Sequence, residues 1–373
     1  MHEAHSKEIK VLIAPSAYKG SLSAFEIAKA IGSGLATRIR SEQIKSMPLA
    51  DGGDDTIATI HACLGGIIRP LSVSGPLNEP VNSCWLKTND CAVVELASSC
   101  GLATIEGPLQ PLLAHTYGLG ETMRDCLSEP CNKIVIGLGG SASTDGGTGA
   151  LTALGIKFLD AHKNALPFGG GYLRDLASIN MSALDVRVLD KEIEILADVR
   201  SPLLGQKGAA SIFGPQKGAT KEEIEILELG LKQLANKVAK ITHTDLRNVP
   251  GCGAAGGTAF GLASLLNGHI KSGFATLAKI MGLEQEISDA DIVITAEGKL
   301  DTQSFQGKAT GELAKLCKNI GKPLLVLPAV YDENIDWQAY GLAAVYKTAA
   351  IGQNATIESI ARTAAGLLLP IQE

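Results

Sequence analysis

Residues 9–36 read IKVLIAPSAYKGSLSAFEIAKAIGSGLA. The segment IKVLIAP is a short apolar run stopped by Pro15, which reads as a buried strand. Behind it Leu22, Phe25, Ile27, Ala28 and Ile31 recur at helical spacing, with Ser21 and Ser23 placed to cap the first turn. QIKSMPLADGGDDT, running into IATIHACLGG, repeats the order strand, acidic glycine loop, helix. The same order returns near the end of the chain in ADIVITAEGKLDTQSFQGKATGELAKLCKNIG, KPLLVLPAV and AVYKTA. Such alternation makes a parallel sheet. The expected fold is α/β, with residues 1–67 and 286–373 closing into one doubly wound flavodoxin- or Rossmann-like domain.

The intervening texture differs. VSGPLNEPVNSCWLK and CAVVELASS are strand-like pieces broken by Pro, Gly and Asn turns, which predicts an inserted second α/β domain over 68–285 with a mixed sheet. A cleft between the two domains, with hinges near 67 and 286, is the expected place for a ligand.

Composition bounds the function. The 373 residues are 45% hydrophobic but 4% aromatic, so the cores are built of Ala, Leu, Ile and Val. The net charge of -6 and the lack of a basic run argue against a nucleic-acid surface. The longest apolar runs, such as LLVLPAV, are far short of a bilayer span, so a soluble cytoplasmic protein, monomer or homodimer, is expected. Eight cysteines without a CxxC pair predict neither a zinc site nor a redox motif.

The 42 glycines concentrate where chemistry is expected. In KIVIGLGGSASTDGGTGALTALG, Gly137, Gly139 and Ala142 match G-x-G-x-x-A, and Asp160 stands where a ribose-binding acid would follow, which supports a nicotinamide site. Against that, Asp145, Gly146 and Gly147 fall in what would be the first helical turns, and GIKFLDAHKNALP reads as a hairpin with a polar turn. The loop is better suited to a polyphosphate, held by the backbone amides of Gly139, Gly140, Gly146 and Gly147 and the hydroxyls of Ser141, Ser143 and Thr144. Asp145 is then a hydrogen-bond anchor for the loop, an indirect metal ligand, or an N-cap for the helix that follows.

Three more loops sit after strands. APSAYKGS offers Lys19 as a point charge for phosphate. ADGGDDT crowds Asp51, Asp54 and Asp55, an arrangement suited to a cation. TAEGKLDTQSFQGKAT supplies Glu297, Lys299, Asp301 and Lys308; it is nearly a P-loop, but Thr302 stands where Gly is needed and Ala309 where Ser or Thr is needed. Mixed carboxylates and lysines still suit a transfer in which Mg²⁺ bridges phosphates and a carboxylate orients the attacking hydroxyl. In EIEILADVRSPLLG, Asp198 is a candidate base and Arg200 a fork for a substrate carboxylate, unless the two form a local surface ion pair.

Taken together, APSAYKGSLSA, PLADGGDDT, VELASSCGL, HTYGLGE, GLGGSASTDGGTGALTALG, ADVRSPLLG, FGPQKGAT, GAAGGTAFG and AEGKLDTQSFQGKAT resemble the type-1 glycerate kinases nearly end to end. The resemblance implies two α/β domains, the first built from both chain ends, and transfer of the ATP γ-phosphoryl group to D-glycerate, giving 2- or 3-phosphoglycerate. It places Lys19, Asp51, Asp198, Glu297 and Asp301 in the family's cleft motifs. The chain departs from the family pattern at Ser16 and Ala17, where Asp-Ser is common, at Asp54 and Asp55, and at DVRSPL, where DVDNPL is often found.

The expected assignment is therefore ATP with Mg²⁺ as cofactors. Lys19, Asp198 and Asp301 are the catalytic candidates, and Asp51 and Glu297 hold the cation. Lys217, Lys299 and Lys308 join the glycine loop on the nucleotide, while Ser16 and Arg200 contact the substrate. The alternatives are an NAD-linked oxidoreductase built on GLGGSA and a non-catalytic regulator that binds a hydroxy acid.

Overall fold

The computed structural model describes residues 9–18, 21–50, 52–53, 55–89, 91–305, 307–349 and 354–367. By packing the chain divides into two units, Met1–Ala50 with Phe274–Glu373, and Asp51–Gly273.

The first unit holds five parallel strands in the order Ala344–Val345, Leu324–Tyr331, Ile292–Leu300, Val11–Ile13, Ile44–Ser46. Counted along the chain within the unit this is 5-4-3-1-2, the flavodoxin-type doubly wound order. Val11 is in register with Ile44 on one side and Ile292 on the other. A strand in that position is covered on both faces, which explains why it reads as an unbroken apolar run. Val11, Ile13, Ile27, Ile31, Ile294 and Leu327 are buried in one core. Of the two expected caps, Ser23 is the one used: its hydroxyl accepts from the Glu26 N–H at 3.2 Å, and the Glu26 carboxylate accepts from the Ser23 N–H at 2.8 Å. That capping box starts the helix Ala24–Leu35. Helix Ile357–Ala365 lies against it so closely that a Cβ on Gly34 would overlap the Ala361 carbonyl.

The second unit carries a six-stranded mixed sheet in the order His269–Lys271, Glu192–Leu196, Lys133–Gly137, Cys91–Glu95, Pro80–Lys87, Ile67–Ser74. The first four are mutually parallel, and Pro80–Lys87 is antiparallel to both its neighbours. Its helices include the 22-residue Lys221–Thr242, which opens with a second capping box between Thr220 and Glu223. No helix among the described residues is long and apolar enough to cross a membrane.

The units divide after Ala50 and Gly273, not at the 67 and 286 read from sequence texture. Helix Thr56–Leu64 packs on the strands Cys91–Glu95 and Pro80–Lys87, and the Glu95 carboxylate accepts its Ile57 N–H at 2.5 Å. Helix Leu283–Asp289 instead belongs with the first unit, where Glu286 pairs with Lys45 at 2.6 Å. Texture marks where strand patterning changes. It does not reveal which sheet a boundary helix covers.

Candidate active site

Loops at the carboxyl ends of parallel strands are free to gather ligands, and in the first unit the chain order reverses between Val11–Ile13 and Ile292–Leu300. The loop leaving the first of these strands is tied down: the Ala14 N–H donates to the Ile294 carbonyl at 2.7 Å and the Ser16 N–H to that of Ala296 at 2.9 Å. Tyr18 is buried, and its hydroxyl donates to the Leu327 carbonyl at 2.6 Å beside the Thr348 hydroxyl at 3.1 Å. Burial, opposed by the Thr348 contact, pushes its phenol up to about 12. Ser16 Oγ is buried and has no hydrogen-bond partner. Lys19 lies outside the described residues.

The loop after Ile292–Leu300 separates its two carboxylates by environment. Glu297 is largely buried, with Lys308 Nζ at 3.8 Å from Oε1 and no partner on Oε2. Burial pushes its carboxyl above the usual range, against Ser304, Lys308 and Thr310, which favour the charged form. Asp301 accepts the Gln303 N–H at 2.9 Å and pairs with Lys299 at 3.3 Å. Partial burial opposes those contacts, yet they hold its carboxyl below the usual range. Lys299 and Lys308 are both exposed, and Lys308 precedes the helix Ala309–Ile320, whose Thr310 hydroxyl is buried without a partner.

In the second unit the glycine loop leaves Lys133–Gly137 and meets the ADGG segment backbone to backbone. The Gly139 N–H donates to the Gly52 carbonyl at 3.1 Å. A Cβ on Gly137 would sit 2.6 Å from that same oxygen, and one on Gly139 would overlap the Gly53 Cα. Asp51 and Asp54 lie outside the described residues. Gly140 is exposed and Gly139 half-buried, but from Ser141 onward the loop is buried.

That burial changes the reading of the loop. Asp145 is 0% exposed and accepts four hydrogen bonds: the Thr116 N–H, the Thr116 hydroxyl and the Gly149 N–H on Oδ2, and the Gly147 N–H on Oδ1. It is the loop's anchor; the N-cap of the helix Thr148–Ala153 is Gly147, and Asp145 accepts the Gly149 N–H from that helix's first turn. The amides of Gly146 and Gly147, expected to face phosphate, are taken up inside the protein, the first by the Gly256 carbonyl at 3.0 Å and the second by Asp145. Gly146 adopts φ +64° where a Cβ would overlap the Leu234 side chain, so glycine is required there for packing. Ser143 is fully buried and its carbonyl accepts from the Lys217 ammonium. Lys217 is itself 3% exposed, and burial lowers its pKa to about 8 against the attraction of Asp145. Ser141, Ser143, Gly146, Gly147 and Lys217 thus form the wall behind the loop, and Gly139 and Gly140 are its open edge.

The remaining expected residues divide similarly. Asp198 accepts from the Ser272 hydroxyl and the Gly273 N–H, both at 2.9 Å, where helix Gly273–Met281 begins. Arg200 is exposed on the segment that follows. Asp160 accepts from the His162 and Asn164 N–H groups at 2.8 Å, closing a turn whose flanks bridge at Leu159 and Ala165. The acid a nicotinamide site would need is thereby a turn residue, as the hairpin reading implied. Sequence reasoning missed His115, which is buried beside the Thr116 anchor. Its Nδ1 accepts from the Tyr117 N–H at 3.2 Å, its Nε2 lies 3.1 Å from Asn78 Oδ1, and its ring packs 4.8 Å from that of Phe168. Burial lowers its pKa, against Asp145, Glu79 and Glu121. Among the described residues no group of three His, Cys, Asp or Glu could hold a metal ion.

Residues 11–372 match the sequence profile of the Glycerate kinase family. The chain is similar to Glycerate 2-kinase of Escherichia coli (strain K12), 39% identical over 91% of this chain and 90% of that protein. It is 36% identical to Glycerate kinase of Bacillus subtilis (strain 168), over 88% of this chain and 89% of the other. It also resembles the crystal structure of a Salmonella typhimurium LT2 protein assigned to glycerate kinase 2, with a TM-score of 0.84, 35% identity and 96% of both chains covered.

Proposed function

The chain belongs to the glycerate kinase family, and from that premise we propose that it transfers the γ-phosphoryl group of ATP to a hydroxyl of D-glycerate, giving 2-phosphoglycerate. The choice of the 2-position is supported by the 39% identical relative, which is a Glycerate 2-kinase. The observation that carries the reading within the molecule is the carboxyl edge of the first unit's sheet. There a buried carboxylate with an unfilled acceptor, Glu297, stands beside Lys308, with two buried hydroxyls, Ser16 and Thr310, that also lack partners. Buried polar atoms without partners are rare in folded proteins, and their grouping at one edge fits a polar ligand.

Phosphoryl transfer asks a protein chiefly for positioning and for charge to balance the phosphates. On this reading Lys299 and Lys308 supply exposed positive charge in the first unit. The open edge of the glycine loop, Gly139 and Gly140, offers backbone to a phosphate in the second. Arg200, which is exposed, suits the acceptor's carboxylate through its forked guanidinium. Asp51 and Lys19 keep their expected roles on cation and phosphate, from the sequence alone.

Mg²⁺ fits as a cation brought in on the triphosphate, because kinases hold it through phosphate oxygens and one or two carboxylates, and no cage is needed. When bound it would neutralise phosphate charge, with Asp51 the carboxylate that the sequence offers to hold it. The described residues supply no cluster that would hold it independently of nucleotide.

An ADP-release assay with D-glycerate, L-glycerate and glycerol as acceptors tests the reading, with the product identified by phosphorus NMR. Release only with D-glycerate, and a 2-phospho product, are the expected results. NADH binding with no effect of Mg-ATP, or hydroxy-acid binding without ADP release, would return the two alternatives to consideration.

A further inference from the structure

Among the described residues of the first unit, the buried side-chain polar atoms without a hydrogen-bond partner are Ser16 Oγ, Glu297 Oε2, Thr310 Oγ1 and Trp337 Nε1. All four belong to segments at the carboxyl edge of the parallel sheet: the exit of Val11–Ile13, the second half of Ile292–Leu300, the first turn of Ala309–Ile320, and the short helix after Leu324–Tyr331. A core that satisfies its polar atoms elsewhere and leaves them open only along one edge has the imprint of something polar that binds there.

Glu297 is the carboxylate in this group. Asp301 is already held by Lys299 and the Gln303 N–H and faces solvent. Asp198 is engaged by Ser272 and Gly273 at a helix start. Glu297 has one oxygen 3.8 Å from Lys308 Nζ and a second, Oε2, that is buried and accepts no hydrogen bond of normal geometry, with the Ser304 and Thr310 hydroxyls beside the carboxylate. It lies where the chain order of the sheet reverses, and the Ser16 loop is hydrogen-bonded to Ala296, the residue before it. A buried carboxylate oxygen in need of a donor is matched by a substrate hydroxyl, whose O–H is the one donor a glycerate alcohol carries.

We infer that Glu297 is the general base of the reaction, accepting the proton of the acceptor hydroxyl on Oε2. The inference rests on the glycerate kinase reading above and assigns Glu297 a different role from that of cation ligand. In the step, the hydroxyl oxygen forms a bond to the γ-phosphorus and the bond from that phosphorus to the ADP oxygen breaks, its electron pair leaving with ADP. The hydroxyl proton passes to Glu297 and then to solvent. Lys308 keeps the carboxylate oriented through the other oxygen.

The test compares Glu297→Gln, Glu297→Asp, Asp198→Asn and Asp301→Asn in the full chain, with thermal melts to verify folding. The readouts are glycerate-dependent kcat, the KM for ATP and the Mg²⁺ concentration giving half activity. A base predicts that Glu297→Gln loses about 100-fold or more in kcat while the KM for ATP changes less than about 3-fold and the Mg²⁺ requirement is unmoved. Glu297→Asp, which keeps a carboxylate at shorter reach, should fall between the two, and the Asn variants should each lose less than Glu297→Gln. The inference fails if Glu297→Gln stays within about 10-fold of the native kcat, if either Asn variant is the more damaged, or if high Mg²⁺ restores Glu297→Gln. Should Glu297→Gln not fold, a fully active Glu297→Asp with a raised Mg²⁺ requirement overturns it equally. A native protein that releases no ADP with D-glycerate defeats the kinase reading itself, which is a separate outcome.

Discussion

Replacing Asp145 by asparagine should destabilise the second unit by several kcal/mol although it changes one atom. Three donors converge on Oδ2, the Thr116 N–H at 2.9 Å, its hydroxyl at 2.7 Å and the Gly149 N–H at 3.0 Å, and one, the Gly147 N–H at 3.0 Å, on Oδ1. An asparagine keeps its oxygen where three donors meet, which turns its NH₂ toward the Gly147 N–H. Bonds to a charged acceptor exceed neutral ones by about 1 kcal/mol each, so the three survivors weaken by about 3 kcal/mol together, and the orphaned N–H adds about 1–3 kcal/mol. Relief of the carboxylate's desolvation returns part of this, while the buried Lys217 ammonium loses its counter-charge. The net is a loss of about 3–5 kcal/mol, in the range for removing one partner of a buried charge. Urea unfolding at neutral pH measures it as a lower midpoint at unchanged slope. A loss under about 1 kcal/mol would refute the reasoning, since the four bonds could then be replaced by water or by movement of the loop. Thr116→Val is the companion: it removes one donor to Asp145 and the acceptor of the Ala150 N–H, and its effect should be less than additive with that of Asp145→Asn.

Lys217 has a folded pKa of about 8 against 10.5 for the free group, so the burial of its charged form costs stability below pH 8, and the cost fades as pH rises toward 10.5. The urea midpoint of the native chain should rise across that window relative to Lys217→Met, by up to about 3 kcal/mol; parallel pH curves for the two proteins would count against it. Tyr18→Phe should lose about 1–2 kcal/mol through the Leu327 carbonyl left without its donor. Because the native phenol titrates near 12 in place of 10, the native chain should lose stability between those pH values where the variant does not. Gly139→Ala, whose new methyl would overlap Gly53, should raise the KM for ATP about 10-fold or more by displacing the loop's open edge, read by steady-state kinetics beside a melting curve.

Much of the fold was legible because it depends on local pattern. Ser23 followed three residues later by Glu26 is a capping box in the sequence and in the structure. The runs at 11–13 and 292–296 are buried stretches of parallel strand because only a doubly covered position tolerates them. The mixed sheet of the middle segment follows from its turn residues in the same way. The site was less legible, and the glycine loop shows why. GLGGSASTDGG looks like a uniform cradle, yet Gly139 is glycine because Gly53 crosses it, while Gly146 is glycine because Leu234 fills the space a side chain would take. Lys217 looked like a surface phosphate contact because nothing local indicates that its ammonium reaches the Ser143 carbonyl, 74 positions away. Asp145 was within reach of sequence reasoning as an anchor, but its partner Thr116 was not. In each case the deciding neighbour is distant in the chain, and spacing carries no signal for it.

The discontinuous first unit has a consequence for how the chain is made. The strand Val11–Ile13 leaves the ribosome well before its neighbour, since Thr295, in the neighbouring strand, donates to the Ala14 carbonyl across a separation of 281 residues. At about 5–20 residues per second that interval is about 15–60 s of synthesis, during which Ile27, Ile31 and Leu35 stay uncovered and a central strand has one open edge. Residues 51–273 are complete within it and can fold on their own schedule. Nascent chains stalled before residue 292 should therefore carry a folded, protease-resistant second unit behind a susceptible N-terminal segment, and that segment is where a trigger factor or another holdase would find its binding site.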